Sequence, residues 1–129
     1  ADVFSLAKTL WMFLSGDEKG FDGVYDYLDQ SHSLRYVSRF RQEHLVEIDE
    51  LLKDATNNNP DVRPDIHEFT ERLLLWREIA VDFDKSQSSD WKFLTKQLFG
   101  KNMPGSSVWR DIDIIIDRQH TCIQSYAII

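Results

Sequence analysis

Residues 2–16 read DVFSLAKTLWMFLSG, and the fold of the chain turns on this stretch. From Val3 to Leu14, nine of twelve residues are apolar, interrupted only by Ser5, Lys8 and Thr9. A helix that is apolar nearly all round is expected to be covered nearly all round. Asp2 supplies its N-cap, with a carboxylate free to accept from first-turn N–H groups. Gly16 supplies the left-handed residue with which many helices end. Lys8 is expected to bury its stem and reach a polar neighbour with its ammonium, rather than to act as a catalytic amine.

Outward from this helix the pattern stays helical. Residues 16–32 are rich in glycine and acids and read as a loop, with one short helical turn around Val24–Leu28. Ser33–Arg41 predicts a modest helix, with Arg35, Arg39 and Arg41 as a solvated face. In HLVEIDELLKDAT (44–56), Leu45, Ile48, Leu52 and Ala55 share one stripe, joined by Leu51, while Glu47, Asp49, Glu50, Lys53 and Asp54 cover the other side. Asn57–Pro60 breaks the chain. A further helix is predicted from Pro64, at its first helical position, with a seam of Ile66, Phe69, Leu73, Trp76, Ala80 and Phe83. SQSSD (86–90) reads as a linker in which Ser89 or Asp90 caps a helix bearing Trp91, Leu94 and Leu98. GKNMPGSS (100–107) reads as a loop. The last segment, VWRDIDIIIDRQHTCIQSYAII, has the β-branched alternation of a strand and also a helical stripe. Helix is preferred, because no partner strand is evident elsewhere. The expected class is all-α.

Composition narrows function. The 129 residues carry a net charge of −7 and a pI near 5.0, which argues against nucleic acid or an anionic membrane as the main partner. The single cysteine, Cys122, cannot form an internal disulfide, so a reducing, cytoplasmic setting is expected. No apolar run approaches the roughly 20 residues of a membrane span, and no signal peptide opens the chain. Its abrupt start at Ala1-Asp2 is expected to be an internal point of something longer.

Catalytic patterns are weak. His32, His44, His67 and His120 lack the H-E-x-x-H spacing and are expected to be exposed polar or capping positions. Asp111, Asp113 and Asp117 read as a solvated acidic face rather than a cation site, and Cys122 as a small buried hydrophobe. Asp82-Phe83-Asp84 resembles D-F-G only faintly, and no phosphate-cradling glycine motif is present.

Two stretches taken together carry a resemblance. Ala1-Asp2-Val3-Phe4-Ser5-Leu6, followed by Thr9-Leu10-Trp11 and Ser15-Gly16, is similar to the F helix of eukaryotic-type protein kinases. Asn59-Pro60-Asp61-Val62-Arg63-Pro64 is similar to the R-P turn before the last helix of the kinase C-lobe. The helix of 44–56, closing on Asp54-Ala55-Thr56, fits the H helix between them. The resemblance covers about residues 1–80 and is nearest to bacterial serine/threonine kinases. Ala7 departs from it, standing where many kinases have glycine.

The resemblance implies a C-lobe helical segment over residues 1–85; residues 86–129, outside the resemblance, read as a C-terminal helical extension packed on or beside it. The resemblance also makes Asp2, Trp11 and Arg63 structural anchors. Asp2 would accept from the backbone of the catalytic loop, and Arg63 would pair with the glutamate of A-P-E. The glycine-rich loop, the strand lysine, H-R-D-x-x-x-x-N, D-F-G and A-P-E do not occur in these residues. No catalytic, cofactor-binding or metal-binding residue is therefore expected in the chain. ATP and Mg²⁺ would serve only the full-length parent, a serine/threonine kinase or a pseudokinase. The expected partners are the N-terminal part of that kinase and a protein substrate or regulator on the G-helix region. An exposed flank of the 3–14 helix would allow dimerisation. An unrelated all-α interaction domain is the rival reading. Without its glutamate, Arg63 is expected to turn to solvent or to find a substitute acid.

Overall fold

The computed structural model describes residues 2–98. Among these residues all regular structure is helical, as the sequence predicts: α1 (Val3–Ser15), α2 (Val46–Ala55), α3 (Ile66–Val81) and α4 (Phe83–Leu98). Short 3-10 turns lie at Leu34–Tyr36, Ser38–Phe40 and Pro60–Val62. The loop expected at 100–107 and the helix expected over 108–129 lie outside the described residues, and with them His120, Asp111, Asp113, Asp117 and Cys122.

The ends of α1 are set locally. Asp2 Oδ1 accepts from Phe4 N at 3.0 Å, which satisfies one of the orphan donors of the first turn. Gly16 adopts a left-handed φ of 73° and donates to the Met12 carbonyl, a conformation that a Cβ would strain. The expectation of all-round burial is corrected. Only Val3, Ala7 and Trp11 are buried, and Phe13 is 81 % exposed. The reason is that, among the described residues, α1 is packed on one side, against α2 and the loop of 21–34.

That loop forms no helix around Val24–Leu28; its core contact comes from side chains instead. Tyr25 is fully buried, and its backbone N–H donates to Thr56 Oγ1 at 2.8 Å. Phe21 meets Trp11 edge-on at 5.1 Å and stacks on His32 at 4.7 Å. Lys8 does as expected: its ammonium donates to the carbonyls of Phe21 and Gly23 at 2.7 and 2.6 Å and sits 3.5 Å from the Phe21 ring centre. Burial lowers its pKa, and Asp22 opposes that shift. Lys8→Met should leave both carbonyls without this donor and cost about 1–3 kcal/mol. The check is the urea midpoint of the variant; an unchanged midpoint would mean that Tyr25 and Phe21 hold the loop unaided.

Three further expectations are corrected. The helix predicted over Ser33–Arg41 is a pair of 3-10 turns, the first capped by Ser33, whose Oγ accepts from Arg35 N at 3.2 Å. The helix predicted from Pro64 starts at Ile66 instead. Arg63 is extended, as a residue before proline tends to be, and Asp65 is the true N-cap, accepting from Glu68 N at 2.8 Å. The linker expected at 86–90 lies inside α4. The break falls earlier, at Asp82, whose extended backbone ends α3 and whose carboxylate accepts from Lys85 N at 3.0 Å. Phe83 thereby leaves the α3 seam and is 39 % exposed.

Helix α2 is the hub, packed against α1, α3 and α4. The main apolar cluster gathers Ala7, Trp11, Tyr25, Leu34, Ile48, Leu51, Leu52, Ala55 and Phe69 among its members.

Candidate functional site

Asp2 and Arg63, remote in sequence, meet at one surface pocket of about 370 Å³, lined also by Val3, Pro60, Pro64, Asp65 and Ile66. Local chemistry builds its floor. The asparagine run folds on itself, Asn57 Oδ1 accepting from Asn59 N and Asn59 Oδ1 from Asp61 N, and this shapes the Pro60–Val62 turn that carries Arg63. Arg63 is half-buried. Its Nε donates to the Asn57 carbonyl at 2.7 Å, and its guanidinium lies 4.8 Å from the Phe4 ring centre, a cation–π contact. Among the described residues no carboxylate pairs with it and none accepts from its terminal nitrogens. Arg63 thus takes neither expected course: a carbonyl and an aromatic ring brace it in place of an acid or open solvent.

The two acids at the pocket are engaged at helix starts, Asp2 by Phe4 N and Asp65 by Glu68 N. Asp2 is exposed, and its Oδ2 bonds to no described residue. One rim therefore presents a free acceptor from Asp2 and free donors from Arg63. Trp11, the third expected anchor, is not at this pocket. It is 2 % exposed in the core and donates its indole N–H to the His32 carbonyl at 2.7 Å.

Sequence reasoning missed two buried polar clusters. Asp49, assigned to the wet face of its helix, is 3 % exposed. Its Oδ1 accepts from the Tyr25 hydroxyl at 2.6 Å and its Oδ2 from Arg35 Nε at 2.8 Å. The Arg35 guanidinium lies 4.7 Å from the Tyr27 ring centre and 4.9 Å from that of Phe93, so Arg35 is no part of a solvated face. Burial, the Asp49 charge and its hydrogen bond push the Tyr25 phenol well above its ordinary range. The second cluster centres on His44, which is 1 % exposed. Its Nδ1 faces Asp90 Oδ1 at 2.6 Å and its Nε2 faces Glu47 Oε1, whose partner oxygen Oε2 accepts from Ser89 Oγ. His32 is likewise buried, its Nε2 accepting from Asp26 N at 2.9 Å. These two histidines correct the expectation of exposed polar positions; His67, beside Glu71, is exposed. The i, i+3 spacing of His44 and Glu47 was the one visible signal, and nothing local pointed to Asp90.

Among the described residues no group of three or more His, Cys, Asp or Glu side chains has an arrangement that could hold a metal ion. No family profile matches the chain, and no curated protein or solved structure matches it either.

Proposed function

We propose that residues 2–85 are the helical C-lobe segment of a eukaryotic-type serine/threonine protein kinase, with the residues from 86 onward as an extension. The observation that carries this reading is the pocket where Asp2 and Arg63 converge. Its rim offers a free carboxylate oxygen and free guanidinium nitrogens. A peptide segment presenting backbone N–H groups to the first and a carboxylate to the second would complete it, with a charge-assisted bond on Arg63. In the parent, that segment is the catalytic loop and the end of the activation segment. The open flank of α1, with Phe13 exposed, supports the same reading, since a helix this apolar calls for more cover than the described residues supply.

The parent would transfer the γ-phosphate of ATP to a serine or threonine hydroxyl. Most of that chemistry is positioning and charge neutralisation by parts that this chain lacks. The chain's own share is to hold the catalytic loop through Asp2, brace the activation segment through Arg63, and offer the G-helix region as a docking surface for substrate or regulator. A cytoplasmic location goes with this reading; among the described residues no helix is long and apolar enough to cross a membrane.

The test has two arms. Calorimetry on the isolated chain should give no Mg·ATP binding. A product extended through the upstream codons should phosphorylate a serine/threonine substrate, and Arg63→Ala in it should lower kcat/KM roughly tenfold, the equivalent of about 1.4 kcal/mol. Mg·ATP binding by the isolated chain, or an extended product without a glycine-rich loop, would remove the reading.

A further inference from the structure

Helix α4 turns Ser86, Asp90 and Leu94 inward, all buried. Yet the main apolar cluster, which runs from Val3 to Phe69, contains none of its residues. Besides the buried Leu94 and its packing on α3, polar and aromatic contacts attach α4. Phe93 meets Tyr27 edge-on at 5.8 Å beside the Arg35 guanidinium. Asp90 meets His44, and Ser89 meets Glu47.

The His44 ring sits between two carboxylates, one from each helix. A neutral imidazole carries one N–H and one lone pair, so it could satisfy only one of them and would turn a lone pair on the other. The imidazolium satisfies both. We propose that α4 is a proton-operated latch: protonated His44 bridges Glu47 of α2 and Asp90 of α4, and loss of that proton releases α4 while the α1–α2 body stays folded.

From α2 the ring faces Glu47, and from α4 it faces Asp90. From α3 the residue receives the uncharged Trp76 indole, which donates to the His44 carbonyl at 2.8 Å. Glu50, Lys92 and Lys96 line a cleft of about 210 Å³ with Glu47, between α2 and α4. Burial by itself would lower the His44 pKa, but the hydrogen bonds and charges of Asp90 and Glu47 outweigh it and raise the value from 6.5 to about 9. Glu47 is pushed up by burial and down, to a greater extent, by its bonds from His44 and Ser89, so it stays ionised. The folded value of His44 lies above the unfolded one. Its stabilisation is therefore fully present below pH 6.5 and is lost as the pH rises through about 9. Beyond that point two carboxylates face one neutral ring across the helix interface, and opening uncovers the Tyr27 and Arg35 face.

The test is a pH titration of the full chain by NMR. The His44 Cε1 shift reports its proton, the Phe93–Tyr27 ring NOE reports α4 docking, and the Trp11–Phe21 ring NOE reports the body. The expected result is loss of the Phe93–Tyr27 NOE along the His44 titration, with the Trp11–Phe21 NOE retained. Survival of the Phe93–Tyr27 NOE after His44 has titrated overturns the proposal, and so does simultaneous loss of both NOEs. Asp90→Asn keeps the side-chain shape and removes one charge, so its latch should open at lower pH; an unmoved midpoint also overturns the proposal.

Discussion

Asp49→Ala is expected to destabilise the domain by about 3–5 kcal/mol, the usual consequence of removing one partner from a buried ion pair. Asp49 is 3 % exposed and Arg35 11 % by side chain, so water cannot readily replace the lost carboxylate. Two donors lose their acceptor at once, Arg35 Nε and the Tyr25 hydroxyl. The Tyr25 hydroxyl in turn accepts from Leu34 N at 3.0 Å, so the loss propagates into the 3-10 turn that starts at Leu34. Asp49→Asn retains an acceptor for Tyr25 but loses the charge and sets an NH2 donor against Arg35 in place of the second oxygen; with one of the two bonds kept it should cost less, about 1.5–3 kcal/mol. Urea unfolding of both variants measures the difference, and a double-mutant cycle with Arg35→Met isolates the pair. A loss below about 1 kcal/mol for Asp49→Ala would reduce this cluster to the rank of a surface salt bridge. The effect should also resist salt, because buried pairs are poorly screened.

Trp11→Ala is expected to cost a similar amount, about 3–5 kcal/mol. Trp11 lies against Phe21 and is tied by its indole N–H to the His32 carbonyl. The alanine variant therefore loses packing on the loop of 21–34 and that tie together. Trp11→Phe separates the two contributions: it keeps most of the apolar bulk but removes the donor, and should cost about 1–3 kcal/mol. Equal losses for the two variants would show that the hydrogen bond, rather than the ring, anchors the loop. Thermal or urea unfolding gives the comparison directly.

Both residues show how far local reading reaches. The burial of Trp11 was legible because it lies on a strongly apolar helix. That of Asp49 was not, because on α2 it stands among acids that are exposed or half-buried, and its helical position alone puts it with them. What separates it from Glu50 is Arg35, delivered from a different segment. Of the Asp2–Arg63 pocket, the sequence showed the Asp2 cap; the meeting of the two residues at one rim depends on the turn of 60–62 lying beside the start of α1. The break at Asp82 was missed because it uses neither glycine nor proline; a lone aspartate cap is easily read as one more polar residue on a long helix.

By itself the sequence determined the helical class, the ends of α1 and the existence of α2, because capping and apolar periodicity act among residues within a turn or two of one another. The tertiary structure decided which charges are buried. Arg35 and Asp49, and His44 and Asp90, come from elements apart in the chain, and a charge becomes internal only when packing delivers its counter-charge. It also decided that, among the described residues, α1 is covered on one side, since burial is set by what packs against a face and not by how apolar that face is.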